Sequence, residues 1–195
     1  MQAIRIIEAE HRSLAAVLHG MLYLVRDIRY RGAEPNFELL GAMVHYIDAF
    51  PERFHHPKED AYLFKALGLR YPAAAPLLDR LKQEHELGVV RIRELRQALT
   101  RYQQGGSAEF PKFAALLASY AVFHWDHMRL EENNLLPLAK VHLTGEDWET
   151  IDAAFLGHTD PMLGAESSAK YDALFRRIVD LAPPPLGVGP VRRPA

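Results

Sequence analysis

Apolar side chains recur at three- and four-residue steps along four stretches of about thirty residues each, and this periodicity restricts the fold more than any other feature of the chain. In the first stretch Ile4, Ile7, Leu14, Leu18, Leu22 and Val25 mark one face until Arg31-Gly32-Ala33-Glu34-Pro35 interrupts it. A second runs from about Asn36 to Leu67 and stops at Gly68, with Tyr71-Pro72 just beyond. A third opens near Ala73, carries Leu77, Leu81, Leu87, Ile92, Leu95 and Leu99, and ends in Gln104-Gly105-Gly106-Ser107. The fourth begins near Glu109, tolerates Pro111 in its first turn, and continues to about Val141. No segment alternates apolar and polar residues between hairpin turns, so no strand is expected. An all-α chain of four long helices joined by short loops packs most simply as an up-down-up-down four-helix bundle.

Residues 1–143 would make that bundle, with 144–195 an extension packed on it. Thr144-Gly145-Glu146-Asp147 reads as a helix start with Thr144 as N-cap, and this short helix ends near Gly157. A second short helix is expected from about Ala165 to Leu181, followed by an extended Pro/Gly-rich tail from Pro183-Pro184-Pro185 onward. The extension would cap one end of the bundle or offer a contact to a second copy of the chain, as in a homodimer.

A chain of 195 residues, 49% of them hydrophobic, is long enough for a real core. Lys and Arg number 23 against 25 Asp and Glu, so no basic field exists to hold a phosphate backbone, and nucleic acid is not an expected partner. The absence of cysteine excludes disulfides, thiolate zinc sites, iron–sulfur clusters and cysteine nucleophiles together. Ser-His-Asp catalysis would lack both a G-x-S-x-G turn and a strand to carry it. Glu8, Glu10 and Arg12 stand where a signal peptide would need an apolar run. The longest near-apolar stretch, Phe113 to Phe123, is too short to cross a bilayer. A cytoplasmic protein without membrane contact is expected. What is unusual is the presence of 10 histidines.

Several of those histidines are patterned. His55-His56-Pro57-Lys58-Glu59-Asp60 with Leu63-Phe64, and His127-Met128-Arg129-Leu130-Glu131-Glu132 with Leu135-Leu136, both fit H-x-x-x-E-[DE]-x-x-L-[FL] at an offset of 72 residues. Glu10-His11 and Glu84-His85 repeat at an offset of 74. The chain thus reads as two copies of one helical hairpin. A His and a Glu four apart share one helix face. His11 lies 20 residues before Arg31 and His55 19 after Asn36; His85 lies 19 before Gln104 and His127 18 after Glu109. At 1.5 Å per residue all four sit roughly 27–30 Å from their hairpin ends. His11, His55, Glu59, His85, His127 and Glu131 can therefore meet in one layer of the core.

Four imidazoles and two carboxylates in one buried layer need a cation, because unpaired carboxylates are costly there and repel each other. An oxygen-plus-imidazole set without sulfur suits iron or manganese. Two glutamates between histidine pairs could bridge two metals and leave coordination positions free for water or a small ligand.

On these residues, across about 4–141, the chain resembles the hemerythrin-like (HHE cation-binding) family. The resemblance implies a non-haem centre of two iron ions, oxo- or carboxylate-bridged by the glutamates and completed by the histidines, with manganese or zinc as alternatives. Oxygen-carrying hemerythrins use a fifth histidine from an H-x-x-x-H on the third helix, whereas here the residues four away from His85 are Leu81 and Val89. The pattern is that of the four-His, two-Glu variant, similar to di-iron proteins of iron–sulfur cluster repair and nitric oxide stress, without their cysteine-containing domain. Small-ligand binding follows from the resemblance: a sensor, store or scavenger of oxygen, nitric oxide or peroxide. The alternatives are a redox enzyme reducing peroxide or nitric oxide, and a metal-stabilised interaction module.

Other polar residues compete for places near the site. His56 is four before Asp60, so a one-residue register change would exchange it for His55, although the spacing shared with His127–Glu131 favours His55. Pro57 removes a backbone bond to Arg53 and is expected to kink the helix there. His124 shares the face of His127 and is read either as a group supporting the ligands or as a replacement fifth ligand. Tyr120, two turns before His127, is read as a core aromatic. His45, Asp48 and Glu52 lie within about 80° of the ligand face and read as a solvated flank, with a polar lining as the alternative. His19, His142 and His158 fit no pattern and are assigned to the surface.

Overall fold

The computed structural model describes residues 1–157 together with residues 178, 180 and 182. Among the described residues 1–157 the chain forms five helices and no strand. Helix α1 spans Gln2–Arg31 and stops at Gly32, whose φ of 64° places it in the left-handed region that closes helix ends. Helix α2 covers 37–70 under an Asn36 cap whose side chain accepts from the Leu39 N–H at 3.1 Å. It is not uniform: Phe37–Ala49 is α, Pro51–His55 and Glu59–Phe64 are π turns, and Lys65–Arg70 is α again. A 3-10 turn at Pro72–Ala74 leads into α3, Ala75–Gly105. Helix α4 covers 110–142 as Phe110–Leu130, a π turn at Glu131–Leu135, and Leu136–His142. Helix α5 is Gly145–Leu156.

Each of α1 and α3 packs against both α2 and α4, which closes the four long helices into an up-down-up-down bundle. The apolar interior is not continuous. One cluster holds Leu14, Leu18, Met21, Leu40, Ile47, Ile92, Leu95, Phe113 and Leu117, near the α1–α2 and α3–α4 loops. A second holds Ile4, Ile7, Leu63, Leu67, Leu78, Leu81, Leu135 and Leu136 at the opposite end. Between the two lies a buried polar layer: His11, His55, His56, Glu59, His85, His127 and Glu131.

Helix α5 closes the second end. Trp148, Ile151 and Phe155 join the second cluster, and Asp152 accepts the Ala3 N–H at 2.7 Å. Thr144 and Asp147 form a capping box, and Arg70 reaches Asp147 at 2.8 Å. Ile178 and Ala182 are buried against the first cluster. The helix expected over 165–181, the Pro/Gly tail and His158 otherwise lie outside the described residues. No described helix is long and apolar enough to cross a membrane.

Candidate metal centre

The antiparallel pairing of α1 with α2, and of α3 with α4, brings equal distances from the loops to equal heights. His11 Nε2 lies 3.2 Å from His55 Nε2, and His85 Nε2 lies 3.2 Å from His127 Nε2. Glu59 and Glu131 are fully buried between these pairs. Glu131 turns Oε2 to His11 at 3.2 Å and Oε1 to His127 at 3.4 Å, so one carboxylate spans both pairs. Glu59 Oε2 lies 3.4 Å from His55 and 3.6 Å from His85. All six residues of the sequence pattern therefore stand in one layer.

Every one of these imidazoles has a carboxylate behind it. His55 Nδ1 donates to Glu10 at 2.6 Å, and His127 Nδ1 donates to Glu84 at 2.9 Å. His11 Nδ1 donates to Glu132 at 2.9 Å, and His85 Nδ1 donates to Asp60 at 3.0 Å. The acidic residue beside each patterned His or Glu thus orients a histidine on the neighbouring helix. With Nδ1–H committed outward, Nε2 is the nitrogen each ring turns toward the centre, the one a metal-binding histidine offers once a cation displaces any proton on it.

The doubling breaks at one place. His56 is buried too, stacks on His85 with ring centroids 4.3 Å apart, and comes within 5.4 Å of the His127 ring. Its Nδ1 lies 3.2 Å from Glu52 Oε2. Two adjacent residues of an α-helix point about 100° apart and rarely share a target. The π turn at Pro51–His55 adds one residue to the turn, marked by His55 N–H bonding back to the Phe50 carbonyl at 3.3 Å. That extra residue changes the register just ahead of Pro57, and both His55 and His56 end up facing the layer. The site thus presents five imidazoles where the spacing indicated four.

Glu52 and Asp48 are buried, not a solvated flank. Asp48 pairs with Arg53 at 3.0 Å and also with Arg96. Glu52 takes the Tyr120 hydroxyl at 3.0 Å and faces His124 Nε2 at 3.5 Å, so Tyr120 is a hydrogen-bond donor as well as core. His19 and His45 are exposed; His142 is half-buried against the Tyr71 ring at 3.9 Å, not a free surface residue.

Electrostatics divide the layer. Burial disfavours charge on His11, but Glu131 and Glu132 outweigh it and raise its pKa to about 9. His85 is likewise raised to about 9 against its burial by Asp60 and Glu131. Burial and the neighbouring imidazoles hold His55 well below the usual range and His56 at about 3. Glu59 is driven well above the carboxylate range by burial, then by Glu131 and Glu10. Burial pushes Glu131 upward as well, but His127, His11 and His85 prevail and hold it well below.

These residues fit a cation. No hydrogen-bond donor satisfies either oxygen of Glu59 or of Glu131, although both side chains are fully buried. The donor atoms fall into two groups, His56 with His85 and His127, and His11 with His55, Glu59 and Glu131; within each group they lie within 4.8 Å of one another. No curated protein and no solved structure matches the chain. Residues 2–139 match the family described as the hemerythrin HHE cation binding domain. The chain belongs to that hemerythrin family, and its histidine and glutamate layer lies within the matched span.

Proposed function

We propose that the chain is a non-haem di-iron protein that binds oxygen, nitric oxide or peroxide as a sensor, store or scavenger. His56, His85 and His127 would hold one iron and His11 and His55 the other, with Glu59 and Glu131 bridging. Bound iron supplies electrons and an exchangeable coordination position, chemistry that no side chain here can supply alone. The protein's own contribution is placement. Glu131 offers one oxygen to each histidine pair, and the five outer carboxylates fix which imidazole nitrogen faces inward. The apolar clusters above and below exclude water from the layer. The observation that carries this reading is the pair of fully buried glutamates, neither with a well-formed hydrogen bond, amid five inward-facing imidazoles.

Absorption spectra of the iron-loaded chain test it, recorded anaerobically and then with oxygen or nitric oxide. Ligand-induced bands that reverse on purging match the proposal. Steady consumption of peroxide or nitric oxide with an external reductant would make the chain an enzyme instead. Failure to take up iron would refute both.

A further inference from the structure

From the Glu52 cluster we infer that Glu52, locked by Tyr120, His124 and Gly88, is the positioning residue that recruits His56 and makes the two metal positions unequal, three imidazoles against two. This rests on the di-iron reading above. The chain's internal doubling shows where the inequality comes from. At the offset of 72 residues, Glu52 corresponds to His124, His56 to Met128, and Asp48 to Tyr120. The two halves share His55/His127, Glu59/Glu131 and Asp60/Glu132, yet differ at each of these other places. In the α2 half a carboxylate stands behind an additional imidazole; in the α4 half an imidazole stands there with a thioether beside it.

The differing residues meet. Glu52 Oε2 takes His56 Nδ1 at 3.2 Å, while Oε1 takes the Tyr120 hydroxyl at 3.0 Å and faces His124 Nε2 at 3.5 Å. Neither ring nitrogen of the fully buried His124 has a well-formed hydrogen bond, and the carboxylate it faces is that of Glu52. Space is reserved for the carboxylate as well. A Cβ at Gly88 on α3 would stand 3.0 Å from both Glu52 oxygens, tighter than nine in ten Cβ contacts, so the carboxylate would have to give way. The α2 π turn lifts Glu52 and His56 into this slot together, and α4 has no π turn at the equivalent 123–127. Glu52 touches no metal position itself. It acts through His56 by the same Nδ1–carboxylate geometry that orients the other four imidazoles.

The test uses the full chain titrated with cobalt(II), and proton NMR of the loaded protein. Each coordinated imidazole whose Nδ1–H is held by a carboxylate gives one solvent-exchangeable, paramagnetically shifted resonance, five in all for the pairs described. Glu52→Leu is expected to lose one of them, leave four unmoved, and weaken the second cobalt about 10- to 100-fold. Gly88→Ala displaces the carboxylate without removing it and is expected to do the same, which carries the test if Glu52→Leu does not fold. Glu52→Gln keeps an acceptor oxygen for His56 and should retain the fifth resonance. Four resonances in the wild type, five unmoved ones in both variants, or loss of all signals together from a variant that remains folded would overturn the positioning role while leaving the di-iron reading intact. A wild type that takes up no cobalt would overturn both.

Discussion

At the middle of the bundle two carboxylates share one buried space, and their surroundings make them unlike before any cation arrives. Glu59 is pushed well above the usual carboxylate range by burial and then by the charge of Glu131, whereas Glu131 is held well below it because His127, His11 and His85 outweigh the cost of burial. Glu59→Gln should therefore cost the metal-stripped chain less than Glu131→Gln, which removes the buried carboxylate facing His11 and His85 and should cost about 3–5 kcal/mol. Urea denaturation after chelation measures both. The stripped chain also has a definite pH response. His11 and His85 have folded pKa values of about 9, above the ordinary 6.5, so their stabilisation is complete below pH 6.5 and is lost as pH rises toward 9. Its melting temperature should fall over that window, while the metal-loaded chain should gain, because cations displace those protons. The six patterned residues were legible because a repeat at matched heights needs only helix geometry. Glu10, Glu84, Asp60 and Glu132 were visible as neighbours of the pattern, but their work is done on adjacent helices, which one strand of sequence does not reveal.

Helix α2 departs from regularity where the site is built. Two π turns flank His56–Lys58, and α4 has the single counterpart at Glu131–Leu135. Sequence spacing assumes 3.6 residues per turn, and without the added residue at Pro51–His55 periodicity offers His56 only as a competitor of His55 and Glu52 only as a polar-lining alternative to a solvated flank. Pro51 and Pro57 were the only local signal, since proline removes a helical N–H and forces the ladder to rearrange. Helix α5 follows simple rules. Its start was legible from Thr144, and the structure adds the reciprocal Asp147 bond and the link from Arg70. Asp147→Ala removes both, and should lower stability by about 1–2 kcal/mol in chemical denaturation without changing metal content.

Across the whole molecule, the polar layer separates two apolar clusters that each draw on all four long helices. Bound cations would tie those helices together at the one level where apolar packing is absent. Ligands that bind only the folded chain stabilise it by about 4 kcal/mol when present at 1,000 times their Kd. His127→Ala should therefore lower both metal content and melting temperature, whereas His19→Ala, on the exposed side of α1, should change neither. The bundle itself was legible because four long amphipathic helices with short loops leave little choice of packing. Most directly, iron should be counted in the chain after anaerobic loading and desalting, beside a Glu59→Ala/Glu131→Ala double variant. About two irons per wild-type chain, none in the variant, and a melting temperature that rises only in the wild type would match the account. A wild-type chain that retains no iron and melts at the same temperature with and without it would contradict the account.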